Sequence, residues 1–509
     1  MVRKIIRQFK GSDLKSQCAR SSFKLSIGTF ADRSLAFASK MLLVRLLLPE
    51  EMGLMVLVIS LTAMFEVFTE VGVKQSVIQN ENGSDPAYMN MAWWFQCVRA
   101  LIFYAAAFAA APLICRFYFN GKADIISHHS MSELIVLVRV AFLVILFNGL
   151  ISPAAHVLEK EFRFGKSILI IQGSDILGTI VTIMLAFMLR NAWAMIIGFC
   201  CMAFFKLVFS FAFCSFRPSF SFDGKSFKEI ARFARGVFGS PILAYLAFHI
   251  DVLVAGKMVA ADILGMYGMA IVLARIPQDL FARIITPVLL PAFAKLQKDK
   301  DAMNATIIQV AKATSLVALP LVAVSVMCSK DILSVVYGKG YVDVAPAFSL
   351  LCLYVLVLIH AKIFSNIFFG MGQPHKHRAF VAVRVAIIAS LIYPAIKLFG
   401  MTGAAFVLLF ANFIALCLQA VILQKEVGLK VVDYAASWLG AVGVSVLAMS
   451  VTGAMQAARP SMSMLNFAAG ISSVIVSLGV LFIYKISRPV RQEETVETVI
   501  ETAGESENV

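Results

Sequence analysis

Charge is scarce in this 509-residue chain. Asp, Glu, Lys and Arg make up 15% of it against 60% hydrophobic residues, and mean hydropathy is +0.85. That balance excludes a soluble globule, and the length allows many membrane crossings, so the chain reads as a polytopic membrane protein. Acids are scarcer than bases, 30 against 45, leaving a net charge of +15. Nucleic acid is not the partner this excess implies, because the cations follow the spans and their loops. Cysteine pairing is lacking as well: the nine cysteines are odd in number, include no C-x-x-C and fall mostly in apolar runs. A disulfide framework or a metal site is thereby excluded, and small core packers remain. No P-loop and no nucleophile elbow occurs, and the longest exposed connection is about twenty residues, so neither an enzyme nor a bound cofactor is expected. A short apolar stretch with a cleavage site is missing at the start, and the first span is expected to act as an uncleaved signal.

What is present is a series of apolar windows broken by Pro, Gly and charge, giving fourteen candidate spans in an all-α integral membrane protein. Their loops divide the cations unevenly, 25 on one face against eight on the other. The richer face is cytoplasmic by the positive-inside rule, which puts both termini there. The chain then divides into a basic N-terminus (1–22), spans one to six (23–215), a cytoplasmic linker (216–236), spans seven to twelve (237–424), spans thirteen and fourteen (425–484) and an acidic tail (485–509). The last seventeen residues carry six glutamates and no aromatic, a composition that stays solvated.

Twelve cations fall inside spans, with fewer acids among them. A charge at the centre of a lone spanning helix costs roughly 2.5 to 3.5 kcal/mol, so such side chains should face protein or a watery cavity. Arg45, Lys74, Lys312 and Arg384 lie near span ends and are expected to snorkel to the interface. Arg33, Lys40, Arg139 and Arg275 lie deeper and are expected to face a cavity. Arg33 and Lys40 are seven apart, on one face of span one, and Arg275, Asp279 and Arg283 run i, i+4, i+8 along span eight, where the Asp can bridge the two cations. Together these faces suggest two walls of one basic, anion-binding pocket. Glu66, Glu70 and Lys74 form a second i, i+4, i+8 ladder in span two, read either as ion coupling or as a self-neutralising helix face. Asp251 lies deep in span seven, and His249, two residues before it, points to another side of the helix. His128, His129, His375 and His377 fall in loops and are expected at the surface.

The second half repeats the first. Leu48 to Leu54 has its counterpart in Ala260 to Tyr267, and Val77-Ile78-Gln79 in Lys295-Leu296-Gln297, offset by about 210 to 218 residues. Six spans per repeat is an even number, so the two six-helix lobes share one orientation and are related by a parallel pseudo-two-fold axis, with spans thirteen and fourteen additional.

The run Arg45-Leu46-Leu47-Leu48-Pro49-Glu50-Glu51-Met52-Gly53 and the segment Glu70-Val71-Gly72-Val73 leading to Val77-Ile78-Gln79 resemble the Wzx-type polysaccharide transporters. Ile250-Asp251, Gly265-Met266-Tyr267 and Pro291-Ala292-Phe293 with Leu296-Gln297 are similar to the same family, the oligosaccharide flippases of the multidrug/oligosaccharidyl-lipid/polysaccharide exporter superfamily. The resemblance implies two lobes in a V, alternating access, and an undecaprenyl-pyrophosphate-linked oligosaccharide moved from the cytoplasmic to the periplasmic leaflet of a bacterial inner membrane. On that reading Arg33, Lys40, Arg139, Arg275 and Arg283 hold the pyrophosphate, since guanidinium forks bind such anions bidentately. Glu66, Glu70, Asp251 and Asp279 are the coupling candidates. Membrane lipids and a polysaccharide polymerase or co-polymerase are the implied partners. The alternatives are a peptidoglycan lipid precursor flippase, another exporter of the superfamily, or a membrane polymerase.

Overall fold

The computed structural model describes residues 32–458, apart from 70–71, 122–128, 162, 220–222 and 238, together with Ser472. Among the described residues every regular element is helical, the arrangement that satisfies backbone N–H and C=O groups where lipid offers no partners. The first half comprises α1 (32–46), α2 (Pro49–Thr69), α3 (Val73–Gln79), α4 (Pro86–Phe119), α5 (Met131–Gly149), α6 (Ala154–Lys160), α7 (Phe164–Ile168), α8 (Ser174–Leu189) and α9 (Ala192–Ala212). A π-turn over Leu169–Gly173 joins α7 to α8. After the linker helix α10 (Gly224–Val237) come α11 (Gly239–Met258), α12 (Ala261–Ala274), α13 (Ile276–Ile284), α14 (Thr286–Lys295), α15 (Lys300–Met327) and α16 (Ser329–Val336). The chain continues as α17 (Ala345–Gly370), α18 (Pro374–Val427), α19 (Val431–Ala436) and α20 (Leu439–Ala458). Among the described residues ten helical segments are long and apolar enough to cross a membrane, and the protein is polytopic. Span fourteen and both termini lie outside the described residues, Ser472 excepted.

Four spans differ from the sequence reading. Span two does not run through to Lys74, because α2 ends at Thr69 and α3 begins after Gly72, whose φ of 76° leaves the helical region. The Glu66–Lys74 ladder is therefore split between two helices, with Glu70 outside the described residues. Span eight is cut into α12, α13 and α14 at Arg275 and Ile285, each followed by a proline in the first turn of the next helix. Spans eleven and twelve run on as α18, broken at Gly400, where φ is 58°.

α2 and α12 pack against each other near their starts, so the two repeated motifs meet in space. Glycine makes this possible. A Cβ on Gly53 would lie 1.8 Å from the Ala261 carbonyl oxygen, and one on Gly265 would lie 2.2 Å from the Pro49 oxygen. Glycine at each contact lets the two backbones approach more closely than any side chain would allow. The same end of the bundle is tied by Arg45 Nη2 donating to Val335 O (3.2 Å) and by the buried Glu51. Glu51 Oε2 accepts from Ala192 N (2.6 Å), and its Oε1 lies 2.9 Å from His129 Nε2. His129 Nδ1 in turn is 3.2 Å from Glu133 Oε1. His129 is thus buried and partnered, not at the surface as its loop position suggested. Around this seam α5 packs on α2, α4 and α9, while α17, buried along most of its length, forms the centre of the second half with α12, α14, α15 and α18.

Candidate functional site

The break after α12 places Arg275 at the joint between two helices, where the backbone leaves the helix without straining any φ. Its guanidinium does not bridge to Asp279. It lies over the Phe248 ring of α11, 5.0 Å from the centroid, and Nη2 makes a long contact of 3.5 Å with Phe248 O. The backbone keeps the i, i+4 hydrogen bond from Asp279 N to Arg275 O (3.0 Å), so it is the side chain that turns away from Asp279, toward the Phe248 ring. Arg283 lies in α13, but its side chain is outside the described residues.

A second guanidinium shares the same ring. Arg384 of α18 sits 5.4 Å from the Phe248 centroid and donates from Nη1 to Asn412 Oδ1 (3.0 Å). It is 8% exposed, which corrects the expectation that it snorkels: it lies well inside α18, packed behind α17. Nε of Arg275 and Nε of Arg384 are both buried with no hydrogen-bond partner. Lys362 of α17 and the half-buried His377 of α18 are charge neighbours of Arg384. Among the described residues no carboxylate lies within ion-pair distance of Arg275, Arg384 or Lys362. Cations held at membrane depth with donors left over are costly unless an anion completes them.

The other sequence-assigned residues fall as follows. Asp251 is 0% exposed; its Oδ2 accepts from Tyr267 OH (3.0 Å), its Oδ1 has no partner, and Arg275 acts on it electrostatically. His249 stacks on Tyr245 (4.8 Å between centroids) and is 3.4 Å from Ser60 of α2, so α11 touches the first half here. Lys40 of α1 is half-buried, with Arg33 and Asp279 as its charged neighbours, which links the two halves through Asp279 of α13. Arg33 is 54% exposed and 3.7 Å from Asp32. Arg139 is not brought to this group: it donates from Nε to Phe108 O (3.3 Å) and lies over the Phe108 ring at 4.1 Å. Glu66 accepts from Asn148 Nδ2 within the first half. Asp299 Oδ1, at the start of α15, caps that helix by accepting from Ala302 N (2.9 Å).

Sequence reasoning missed Arg384, Lys362, His377 and Phe248 as one group, since Phe248 of α11 lies more than a hundred residues before the other three, which the α17–α18 pair carries. The only available signal was the presence of two further in-span cations, Lys362 and Arg384, in the second half.

Residues 42–346, more than half of the chain, match the family described as polysaccharide biosynthesis protein. The chain belongs to that family. The lipopolysaccharide biosynthesis protein WzxC of Escherichia coli K12 is 23% identical over 334 residues, 65% of each chain. The succinoglycan biosynthesis transport protein ExoT of Rhizobium meliloti is 21% identical, over 68% of this chain and 67% of its own. The teichuronic acid biosynthesis protein TuaB of Bacillus subtilis matches at 21% over 57% of this chain and 58% of its own. The match thus spans just under two thirds of WzxC and less of TuaB. Among solved structures, the lipid II flippase MurJ in an inward closed conformation superposes with a TM-score of 0.74 at 13% identity, over 91% of this chain and all of that one. An inward-facing multidrug transporter of the MOP superfamily superposes at 0.58 and 14% identity, over 78% and 94%. These likenesses show that this member of the polysaccharide biosynthesis protein family shares the fold of those two proteins.

Proposed function

We propose that this protein is a flippase that carries polyprenyl-pyrophosphate-linked oligosaccharides from the cytoplasmic to the periplasmic leaflet of the bacterial inner membrane. In this reading fourteen spans form two six-helix lobes with two further helices, both termini are cytoplasmic, and the glycine-packed end where α2 meets α12 is periplasmic. The described conformation is then closed to the periplasm, and transport requires that seam to part. The observation that carries the proposal is the guanidinium pair Arg275 and Arg384 about Phe248, with buried donors unfilled and no carboxylate in ion-pair range among the described residues. A pyrophosphate supplies what that pair lacks, because a diphosphate presents several acceptor oxygens to planar donor forks. Lys362 is a charge neighbour of Arg384; Lys40 has Arg33 and Asp279 as its charged neighbours, and this reading has Lys40 and Arg33 reach the headgroup in the course of transport. Glu66, Glu70, Asp251 and Asp279 remain the coupling candidates, and this reading favours Asp251, which is fully buried with Arg275 as a charged neighbour.

The similarity to proteins of lipopolysaccharide, teichuronic acid and succinoglycan biosynthesis favours an envelope or secreted polysaccharide unit as cargo. The likeness to MurJ keeps a peptidoglycan precursor as the second reading, since that cargo also carries a pyrophosphate. Deletion of the gene followed by mass spectrometry of polyprenyl-linked intermediates separates the two. An accumulated oligosaccharide repeat supports the proposal, an accumulated cell-wall precursor supports the second reading, and unchanged intermediates refute both.

A further inference from the structure

We propose that the acidic tail of this chain, Glu493 to Glu507, docks on a stripe of cations along the linker helix α10. That helix (Gly224–Val237) lies between α9 and α11 and so joins the two halves of the molecule. Asp223 caps its start: Oδ1 accepts from Lys225 N (3.1 Å) and Oδ2 from Ser226 N (3.2 Å). Ser226, Ile230 and Ala234 are buried. Ile230 packs among Val73 and Val77 of α3 and Tyr88, Met91 and Ala92 of α4, and Phe227 meets the Phe95 ring of α4 at 6.0 Å. Lys225, Lys228, Arg232 and Arg235 are all exposed. At about 100° per residue these four fall within about 80° of one another, on the side opposite Ser226, Ile230 and Ala234. The apolar side is covered by protein, and the cations point away from it.

Among the described residues no carboxylate lies within ion-pair distance of any of the four cations. Glu229, the one carboxylate within the helix, accepts instead from Asn80 Nδ2 (3.0 Å). Charge complementarity names the occupant. Residues 492–509 carry six glutamates and no Lys or Arg, whereas residues 1–31 carry seven cations and one acid, so of the two ends of the chain only the tail has the opposite sign. Glu493, Glu497, Glu501 and Glu505 recur every fourth residue, the spacing of charges along one side of a helix. At 1.5 Å per residue that row would be about 18 Å long, against about 15 Å from Lys225 to Arg235. A bilayer surface suits the stripe less well, because basic amphipathic helices bind lipid by burying an apolar face, and here α3 and α4 cover it. Fully extended, residues 485–509 reach about 80 Å, several helix diameters. Tethering holds such a tail at millimolar effective concentration, so weak exposed ion pairs are enough to seat it. The docking rests on the reading that puts α10 and the tail on the same, cytoplasmic face, and is independent of the cargo. Because α10 is joined to both halves, a docked tail is a salt-sensitive restraint on their relative movement.

The test treats the full-length protein in phosphatidylcholine nanodiscs with a water-soluble carbodiimide, which joins a lysine amine to a carboxylate in contact with it, and reads the products by mass spectrometry. Cross-links from Lys225 and Lys228 to Glu493–Glu507 are expected at about 0.01 M salt, where the Debye length is about 30 Å. They should fall at least several-fold at about 1 M, where it shrinks to about 3 Å. Arg232→Glu/Arg235→Glu leaves both lysines available and should reduce the same cross-links at least several-fold, while Arg232→Lys/Arg235→Lys should retain them. Cross-links from the tail to lysines of residues 1–31 instead, links that form only between differently isotope-labelled copies, or charge-reversed variants that cross-link like the parent would each overturn the docking. So would protection of Lys225 and Lys228 from acetylation that follows added phosphatidylglycerol and ignores truncation after Arg491, since it gives the stripe to the bilayer. Labelling of Asn508→Cys by a membrane-impermeant maleimide from the periplasmic side of spheroplasts would overturn the shared topology. A tail labelled only from the cytoplasmic side, without the cross-links, would overturn the docking alone.

Discussion

Replacing Gly265 by alanine tests whether the α2–α12 seam is the moving barrier. The added methyl carbon would stand 2.2 Å from Pro49 O, 2.7 Å from Gly53 N and 3.2 Å from Gly53 Cα, all backbone atoms that no rotamer change can move aside. To regain an ordinary contact of about 3.4 Å the helices must separate by about 1.2 Å at this point, and overpacking of that kind costs about 1 to 3 kcal/mol. The cost falls only on the closed seam. At 1.4 kcal/mol per factor of ten, the open population at this end should rise by about 5- to 150-fold. A reporter cysteine at Met52, 4% exposed in the closed seam, in an otherwise cysteine-free chain, reads that population through its rate of modification by a membrane-impermeant maleimide. Labelling should accelerate by at least several-fold, and complementation of export in a deletion strain should fall. If Gly265→Ala labels at the parental rate and exports normally, the seam is not a barrier whose opening limits transport, and the alternating-access reading of this end is wrong.

Arg384→Ala and Arg275→Ala should each reduce export to a small fraction of the parental level while the protein still inserts, because each removes a fork that would bind the headgroup; quantitative export assays with membrane-fraction blots check this. Tyr267→Phe removes the hydroxyl that donates to Oδ2 of the fully buried Asp251, whose Oδ1 already has no partner, and should lower stability by about 1 to 3 kcal/mol, read as a drop in melting temperature. His156 gives a pH signature: burial, then the charges of Lys74 and Lys206, push its imidazole down to about 3, so below pH 6.5 the unfolded chain takes up a proton that the folded chain does not. Stability should therefore fall as pH drops from 6.5 toward 3, with this residue contributing up to about 1.4 kcal/mol per pH unit. Melting curves of His156→Gln between pH 7 and 5 should be flatter than the parental curves, and identical slopes would exclude the effect.

Much of the architecture was legible in the residues themselves. Long apolar runs with so little charge permit only spanning helices; what the sequence did not announce is that the stretches Leu48–Leu54 and Ala260–Tyr267 pack on one another through their glycines. The candidate site was half legible. Arg275, Lys40 and Asp251 stood out because charge at membrane depth is costly wherever it occurs. Arg384 was misread as an interfacial side chain, because distance from a span end measured along the chain says nothing of where α18 is broken or what packs across it. The ladders at Glu66–Lys74 and Arg275–Arg283 looked continuous, but Gly72 and the prolines after Arg275 and Ile285 interrupt both helices.

Composition and order alone determined that this chain crosses a membrane many times and that its spans carry many cations, both of which follow from what charge costs in hydrocarbon; its motifs added a resemblance to the Wzx-type transporters, which is a family likeness and not a consequence of spacing. Only the tertiary structure decided which cations share a neighbour. Phe248 joins Arg275 to Arg384. Burial and convergence depend on how helices far apart in the chain pack, and no residue carries that information by itself.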